Sequence, residues 1–301
     1  MLNEMREGRL TPDSISKFRS LSRPLHFDDD LEATELFPTR AEVDDANMKR
    51  MRNLQGDLRN YDARDGGSIT EKAFRDKLLA NCMAPESLML KKGAQVMLIK
   101  NIDESLVNGS LGKVTDFMSE DGFDNYRRNE EEYYAMQTNP DDSDGPAELS
   151  ERNLRIKELM AGTAQIYPVV RFALPDGTTR DLLVQYETWK IEQPNGDVQA
   201  SRTQIPLILA WALSIHKAQG QTLERVKVDL RKVFEKGQAY VALSRATNMA
   251  GLQVMSFDPS RVIAHDRVRN FYASLSRAEQ ENKAEEEERP VKKAKQFFVI
   301  E

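Results

Sequence analysis

With 301 residues, of which 40% are hydrophobic and 31% charged, the chain has the make-up of a soluble globular protein of two modest domains plus polar segments, and one large core is not required. No run approaches the roughly 18 uncharged apolar residues of a membrane span, and the N-terminal MLNEMREGRLTPDSIS lacks the apolar region of a signal peptide, so an intracellular protein with no membrane partner is expected. The single cysteine, Cys82, cannot form an internal disulfide, and with three scattered histidines it offers no metal-ligand cluster. The net charge of -6 is unevenly spread. Between Ser119 and Glu151 eleven carboxylates face two arginines, a local balance of -9 that leaves about +3 on the remainder. That stretch contains DDSDGP and few apolar residues, so a solvated, partly disordered acidic loop is expected, and the mildly basic remainder is compatible with phosphate backbones.

In chain order, TELFPTRAEVDDANMKRMRNL predicts a short strand and then a helix, with Val43, Ala46, Met48, Met51 and Leu54 as its apolar face and Gly56 as its stop. Residues 57–90 are mixed polar sequence with a helix near 70–81. From Gly93, AQVMLIKN and LGKVTDF read as strands joined by a turn in which Asn108 and Gly109 adopt positive φ. YPVVRFALPDG, TRDLLVQYETW and VQASRTQIPL bring the count of short strands to five, which predicts a small barrel over 91–204, inserted in an α/β domain. PLILAWAL is too uniformly apolar for a surface strand and predicts one buried strand of a parallel sheet. RVKVDL and LQVMSFD supply two more strands, with GQAYVALSRAT as a helix between them that carries Arg245 late in its course. SRVIAHDRVRNFYASLSRA reads as a closing helix, and a mixed-charge tail follows, in which Lys292 to Lys295 have the shape of a short nuclear-import string.

NGSLGKV invites comparison with a phosphate loop, but Val107 and Val114 stand where that motif needs a glycine and a hydroxyl residue, so the segment is a hairpin turn. The polar turn Ser214 to Gln221, placed after a buried strand, is the richest in chemistry. His216 and Lys217 can donate to phosphates or base edges, Gln219 and Gln221 can hydrogen-bond, and Gly220 lets the backbone approach a ligand. Taken singly, a His is more often a structural residue and a Lys a solvated one, and Arg245 is equally a helix C-terminal cation offsetting the dipole.

The strings PLILAWALSIHKAQGQTL and GQAYVALSRAT resemble the fifth and sixth conserved blocks of the petite integration frequency (PIF) helicases, in the RecD-like, 5′-to-3′ branch of superfamily one. FRSLSRPL, LFPTRAEVDDAN, LKKGAQVMLIKN, LVNGSLGKV and the Trp189 segment extend the resemblance over roughly residues 1–275. It implies an α/β fold: a second RecA-like domain (33–90 and 205–275) interrupted by a Src-homology-three-like barrel (91–204, with the acidic loop at 119–151), after a connector (1–32) and before a charged, disordered tail (276–301). It implies an ATP-dependent DNA helicase of repair, recombination and telomere maintenance, in the nucleus or mitochondrion, acting with ATP and Mg on single-stranded DNA and forks. On the matched positions Arg245 would be the arginine finger, and Gly220 and Gln221 would approach the nucleotide. Gln238 and Tyr240 would support the arginine helix, while Ser214, His216 and Lys217 would couple the site to the DNA backbone. No residue is assigned to metal.

The phosphate-loop lysine, the acidic metal-binding pair and the Gln-rich block of a first RecA-like domain are not in this sequence. The chain is therefore expected not to hydrolyse ATP alone, and a separately encoded or missing N-terminal RecA-like domain becomes its expected partner. Alternatives are a nucleic-acid-binding module without catalysis and an accessory subunit that complements a separate phosphate-loop domain.

Overall fold

The structure is a computed structural model that describes residues 1–27, 29–138, 165–233, 235–275 and 277, with backbone alone for 130–138. Two short helices, α1 (Leu2–Glu7) and α2 (Pro12–Ser20), open the chain. Thr11 caps α2 by accepting from Ser14 N, and Pro12 occupies the first turn, where its missing N–H costs nothing. β1 (Thr34–Phe37) leads into α3 (Arg40–Asn53), capped by Thr39. Next come β2 (Arg59–Asp62), β3 (Arg64–Gly66), α4 (Lys72–Leu79), β4 (Ser87–Leu90), β5 (Gln95–Leu98) and β6 (Leu111–Met118). After α5 (Glu120–Thr138) follow β7 (Tyr167–Ala173), β8 (Thr179–Leu183), β9 (Glu187–Glu192) and β10 (Val198–Gln204). β11 (Leu207–Leu209), β12 (Ala212–Ser214), β13 (Val226–Asp229), α6 (Gln238–Leu243) and β14 (Leu252–Met255) complete the set, and residues 266–275 are helical.

The strands form a four-stranded parallel sheet in the order β12-β1-β13-β14 and a five-stranded antiparallel sheet in the order β11-β5-β6-β7-β8. β3-β10-β9 and β2-β4 make two smaller antiparallel sheets. One apolar core lies on the parallel sheet, around Leu36, Leu213, Val228, Leu243 and Val254. A second fills the antiparallel part, around Leu90, Val96, Leu98, Phe172 and Leu207.

The apolar run PLILAWAL is not one strand but two. Leu207 pairs with Leu98 in an antiparallel register, whereas Leu213 pairs with Leu36 in a parallel one. The crossing at Ala210 and Trp211 is held by buried polar groups. Ala210 O accepts from Thr34 Oγ1 (2.9 Å) and Gln95 Nε2 (3.1 Å), and Ala210 N donates to Gln95 O (2.9 Å). Both halves are uniformly apolar because each contributes to a core on a different sheet, so no change of pattern marks the switch.

Five further expectations need correction. The acidic stretch is not a loop throughout: Glu120–Thr138 is helical, begun by Ser119, whose Oγ accepts from Gly122 N (3.2 Å), and anchored by buried Phe123. Glu120 and Asp121 in the first turn suit the positive end of the helix dipole. The remainder of that stretch, 139–151, and the tail from 278 lie outside the described residues. The buried face of α3 is Asn47 and Met51, and Asn47 exchanges two hydrogen bonds with the Ala212 backbone (3.0 and 2.9 Å), a polar anchor that an apolar stripe does not reveal. In the NG turn only Gly109 has positive φ (105°), while Asn108 N donates to Asn101 Oδ1. Finally, α6 ends at Leu243, so Arg245 lies just beyond the helix, and the closing helix starts only at residue 266.

Candidate functional site

The site forms at the carboxyl ends of β1 and β12, where parallel α/β sheets place their ligands. Phe37 and Ser214 are register partners, and the turn after Ser214 is built on them: Phe37 O accepts from Ile215 N (2.9 Å) and Ser214 O from Ala218 N (3.0 Å). Ser214 is buried and its Oγ accepts from Lys217 N (3.2 Å), so its hydroxyl closes the turn. Gly220 adopts a φ of 82° and a Cβ there would meet nothing within 4 Å. Backbone conformation rather than crowding demands glycine there, and the exposed peptide is open to close approach.

Beyond the turn, Leu223 N donates to Arg245 O (2.9 Å) and Thr247 N to Leu223 O (3.1 Å). This short parallel bridge draws the segment after α6 over Gln221. Arg245 is half-buried there. Its Nε donates to Val241 O (3.1 Å), its Nη1 to Gln221 O (3.2 Å) and its Nη2 to Ser244 Oγ (3.0 Å). Three of the five guanidinium N–H groups are thus used, one remains on each terminal nitrogen, and no ion pair among the described residues involves Arg245. Gln221 is buried, with Nε2 4.0 Å from Met83 Sδ and Oε1 without a hydrogen-bond partner among the described residues. Gln238 is buried in the first turn of α6, where Oε1 accepts from Glu235 N (3.5 Å), and Tyr240 is half-buried against the core of the parallel sheet.

His216 and Lys217, adjacent in sequence, face different neighbours. His216 is 65% exposed with Nε2 3.4 Å from Glu235 Oε2. Lys217 lines a cavity of about 250 Å³ with Asp76, Cys82, Glu86 and Arg202. Burial first, and then the positive charge of Arg40, hold the Lys217 ammonium below the usual lysine range, and none of the ion pairs among the described residues includes it. Arg202 is different: it grips Asp65 with two bonds (2.8 and 2.6 Å), which raises its pKa. Arg40, Arg202 and Asp65 were not singled out by sequence, because their neighbours are brought in by pairing of distant strands. Among the described residues no group of three or more His, Cys, Asp or Glu could hold a metal ion, and no helix is long and apolar enough to cross a membrane.

Residues 73–117 match the family model "DNA helicase Pif1, 2B domain". Over 292 residues the chain is 56% identical to the ATP-dependent DNA helicase PIF1 of Emericella nidulans, covering 96% of this chain and 39% of that protein. Over nearly its whole length the chain is similar to part of the Pif1 helicases. The Saccharomyces cerevisiae Pif1 helicase is 39% identical over 360 residues, covering 98% of this chain and 42% of its own length. The crystal structure of Pif1 helicase from Candida albicans matches with a TM-score of 0.63 at 44% identity, over 91% of this chain and 56% of that one. The chain therefore spans about two-fifths of the length of the curated relatives it matches.

Proposed function

We propose that the chain supplies the arginine-finger half of an ATP-dependent 5′-to-3′ DNA helicase, with Arg245 completing an ATP site whose phosphate cradle lies on a first RecA-like domain. The observation that carries this reading is the state of Arg245: held by three bonds at the end of a parallel sheet, with one N–H left on each terminal nitrogen and no ion pair among the described residues. Such a guanidinium suits phosphoryl oxygens in a way that an ammonium cannot reproduce. ATP supplies the phosphoryl group, and Mg belongs to the partner half, since the described residues here fit a phosphate oxygen but not a metal. The protein's contribution is positioning and charge, the main resources of phosphoryl-transfer catalysis.

Gln221 O fixes Nη1, so the turn Ser214–Gln221 and the finger are one mechanical unit. Gly220 and Gln221 stand beside the nucleotide in this reading, with Gln238 and Tyr240 supporting the start of α6. Domain closure around ATP would move the unit together with Lys217 and His216, which contact the backbone of single-stranded DNA, also at forks. The five-stranded sheet would curl as the Src-homology-three-like barrel between the two parts of a RecA-like domain. Pairing of β3 with β10 and the family match from residue 73 support a start of that inserted unit ahead of residue 91. Work in repair, recombination and telomere maintenance, and a nuclear or mitochondrial address, belong to the same proposal.

The test is ATP hydrolysis by the chain alone and after addition of a separate phosphate-loop RecA-like domain. The expected outcome is no turnover alone, DNA-stimulated turnover on mixing, and a loss of about 10³-fold or more in Arg245→Lys. Near-normal turnover of Arg245→Lys would remove Arg245 from its role. The Lys217 ammonium, in no ion pair among the described residues, favours a second reading, a nucleic-acid-binding module without catalysis. ATP-independent, steeply salt-dependent DNA binding, with no turnover on mixing, would support it instead.

A further inference from the structure

We infer that Ser244 is the positioning residue of Arg245, an inference that rests on the reading of Arg245 as the finger. Because α6 ends at Leu243, Arg245 N turns to Ala242 O (3.3 Å) and leaves Val241 O without a backbone N–H. Two side chains satisfy that orphan carbonyl: Arg245 Nε at 3.1 Å and Ser244 Oγ at 3.1 Å. A serine hydroxyl has one proton to give. Once it points to Val241 O, a lone pair of Oγ is left for Arg245 Nη2 at 3.0 Å.

Val241 O and Ser244 Oγ, which are bonded to one another, therefore hold the Nε and Nη2 atoms of the guanidinium. Gln221 O steadies it at Nη1, 3.2 Å away. The three partners lie in the last turn of α6, at its C-cap and in the turn after β12, so the ring of contacts fixes the plane of the guanidinium before any nucleotide arrives. Without the hydroxyl, Nη2 loses its acceptor and the plane is held by two contacts rather than three. A finger that must meet developing charge depends on this preorganisation, since catalytic groups are most effective when they need no reorientation.

The experiment uses the full chain with ¹⁵N-labelled arginine, as wild type, Ser244→Ala and Ser244→Thr, and reads rotation about the Cζ–Nη bonds of Arg245 by NMR. Wild type and Ser244→Thr are expected to show slow rotation about both bonds, and Ser244→Ala faster rotation about Cζ–Nη2, the bond whose nitrogen loses its acceptor. An Arg245 signal equally restrained in Ser244→Ala overturns the proposal. Should Ser244→Ala fail to fold, Ser244→Cys, with a weaker donor and acceptor, takes its place. With the phosphate-loop domain added, Ser244→Ala is expected to lower kcat about tenfold at unchanged KM for ATP, and Ser244→Thr to restore it. Unchanged kcat in Ser244→Ala beside an inactive Arg245→Lys also overturns it. If Arg245→Lys itself keeps full turnover, the finger reading fails, and the NMR comparison alone decides whether Ser244 holds the guanidinium.

Discussion

Lys217 is a residue that works against the fold and that the proposed function assigns to a ligand. Burial and Arg40 lower its pKa from 10.5, so the charged form is disfavoured in the folded state relative to the unfolded one. The unfolded chain then binds more protons between the lowered pKa and 10.5, and stability rises with pH across that window. Below it the penalty is fully present. Lys217→Met should therefore raise the melting temperature at pH 7, with the gain shrinking as pH rises towards 10.5, while, on the proposed function, weakening DNA binding and reducing its salt slope by about one. Paired melts and salt titrations of both proteins check this, and a lower melting temperature at pH 7 would contradict it. The sequence showed that His216 and Lys217 are donors after a buried strand. It did not show that they face different neighbours, because that depends on a turn closed by the Ser214 hydroxyl.

At the scale of elements, the NG hairpin meets the turn after β12 at one close contact. Gly109 has a φ of 105°, and a Cβ there would lie 2.7 Å from Thr222 O, a backbone atom that cannot step aside cheaply. Gly109→Ala should cost about 1–3 kcal/mol in urea denaturation and perturb the neighbouring turn. At the N-terminus, the Thr11 backbone N–H above all, helped by the Ser14 and Thr11 hydroxyls, draws the Glu4 pKa from 4.5 down to about 2. A depressed carboxylate stabilises fully above its unfolded pKa, so the link from α1 to α2 should loosen as pH falls from 4.5 towards 2. Hydrogen exchange at Thr11 and Ser14 reads this, and Glu4→Gln should abolish the pH dependence. The strands with alternating or β-branched patterns were legible in sequence, as was the helix near 70–81, found at Lys72–Leu79. α5 was not, because a carboxylate-rich composition describes charge and says little about Phe123, which anchors the helix.

Across the whole molecule, two apolar cores are joined by the run from Ile205 to Ile215. Ile205 and Leu207 belong to the antiparallel core, while Ile208, Ala210 and Leu213 belong to that of the parallel sheet. Thermal unfolding of the described fold should thus be a single transition by circular dichroism and by the fluorescence of Trp211, which sits at the crossing. Leu207→Ala and Leu213→Ala, one in each core, should each cost about 2–5 kcal/mol and shift both probes together. Separate transitions would show that the cores are independent. Strand spacing, and then the resemblance, brought a two-part organisation into view, but composition and periodicity alone could not locate this junction, since both cores demand the same apolar residues.

That junction also limits how the protein can be divided. A backbone break between Gln204 and Ser214 would strip an edge strand from each of two sheets and leave Asn47, Gln95 and Thr34, whose side chains bond to Ala210 or Ala212, facing cut ends. Fragments cut there should not be recoverable as soluble folded halves. New termini, fusions and reporter insertions belong instead at exposed turns such as Gly177 or Gly196, where even an added Cβ meets nothing within 4 Å.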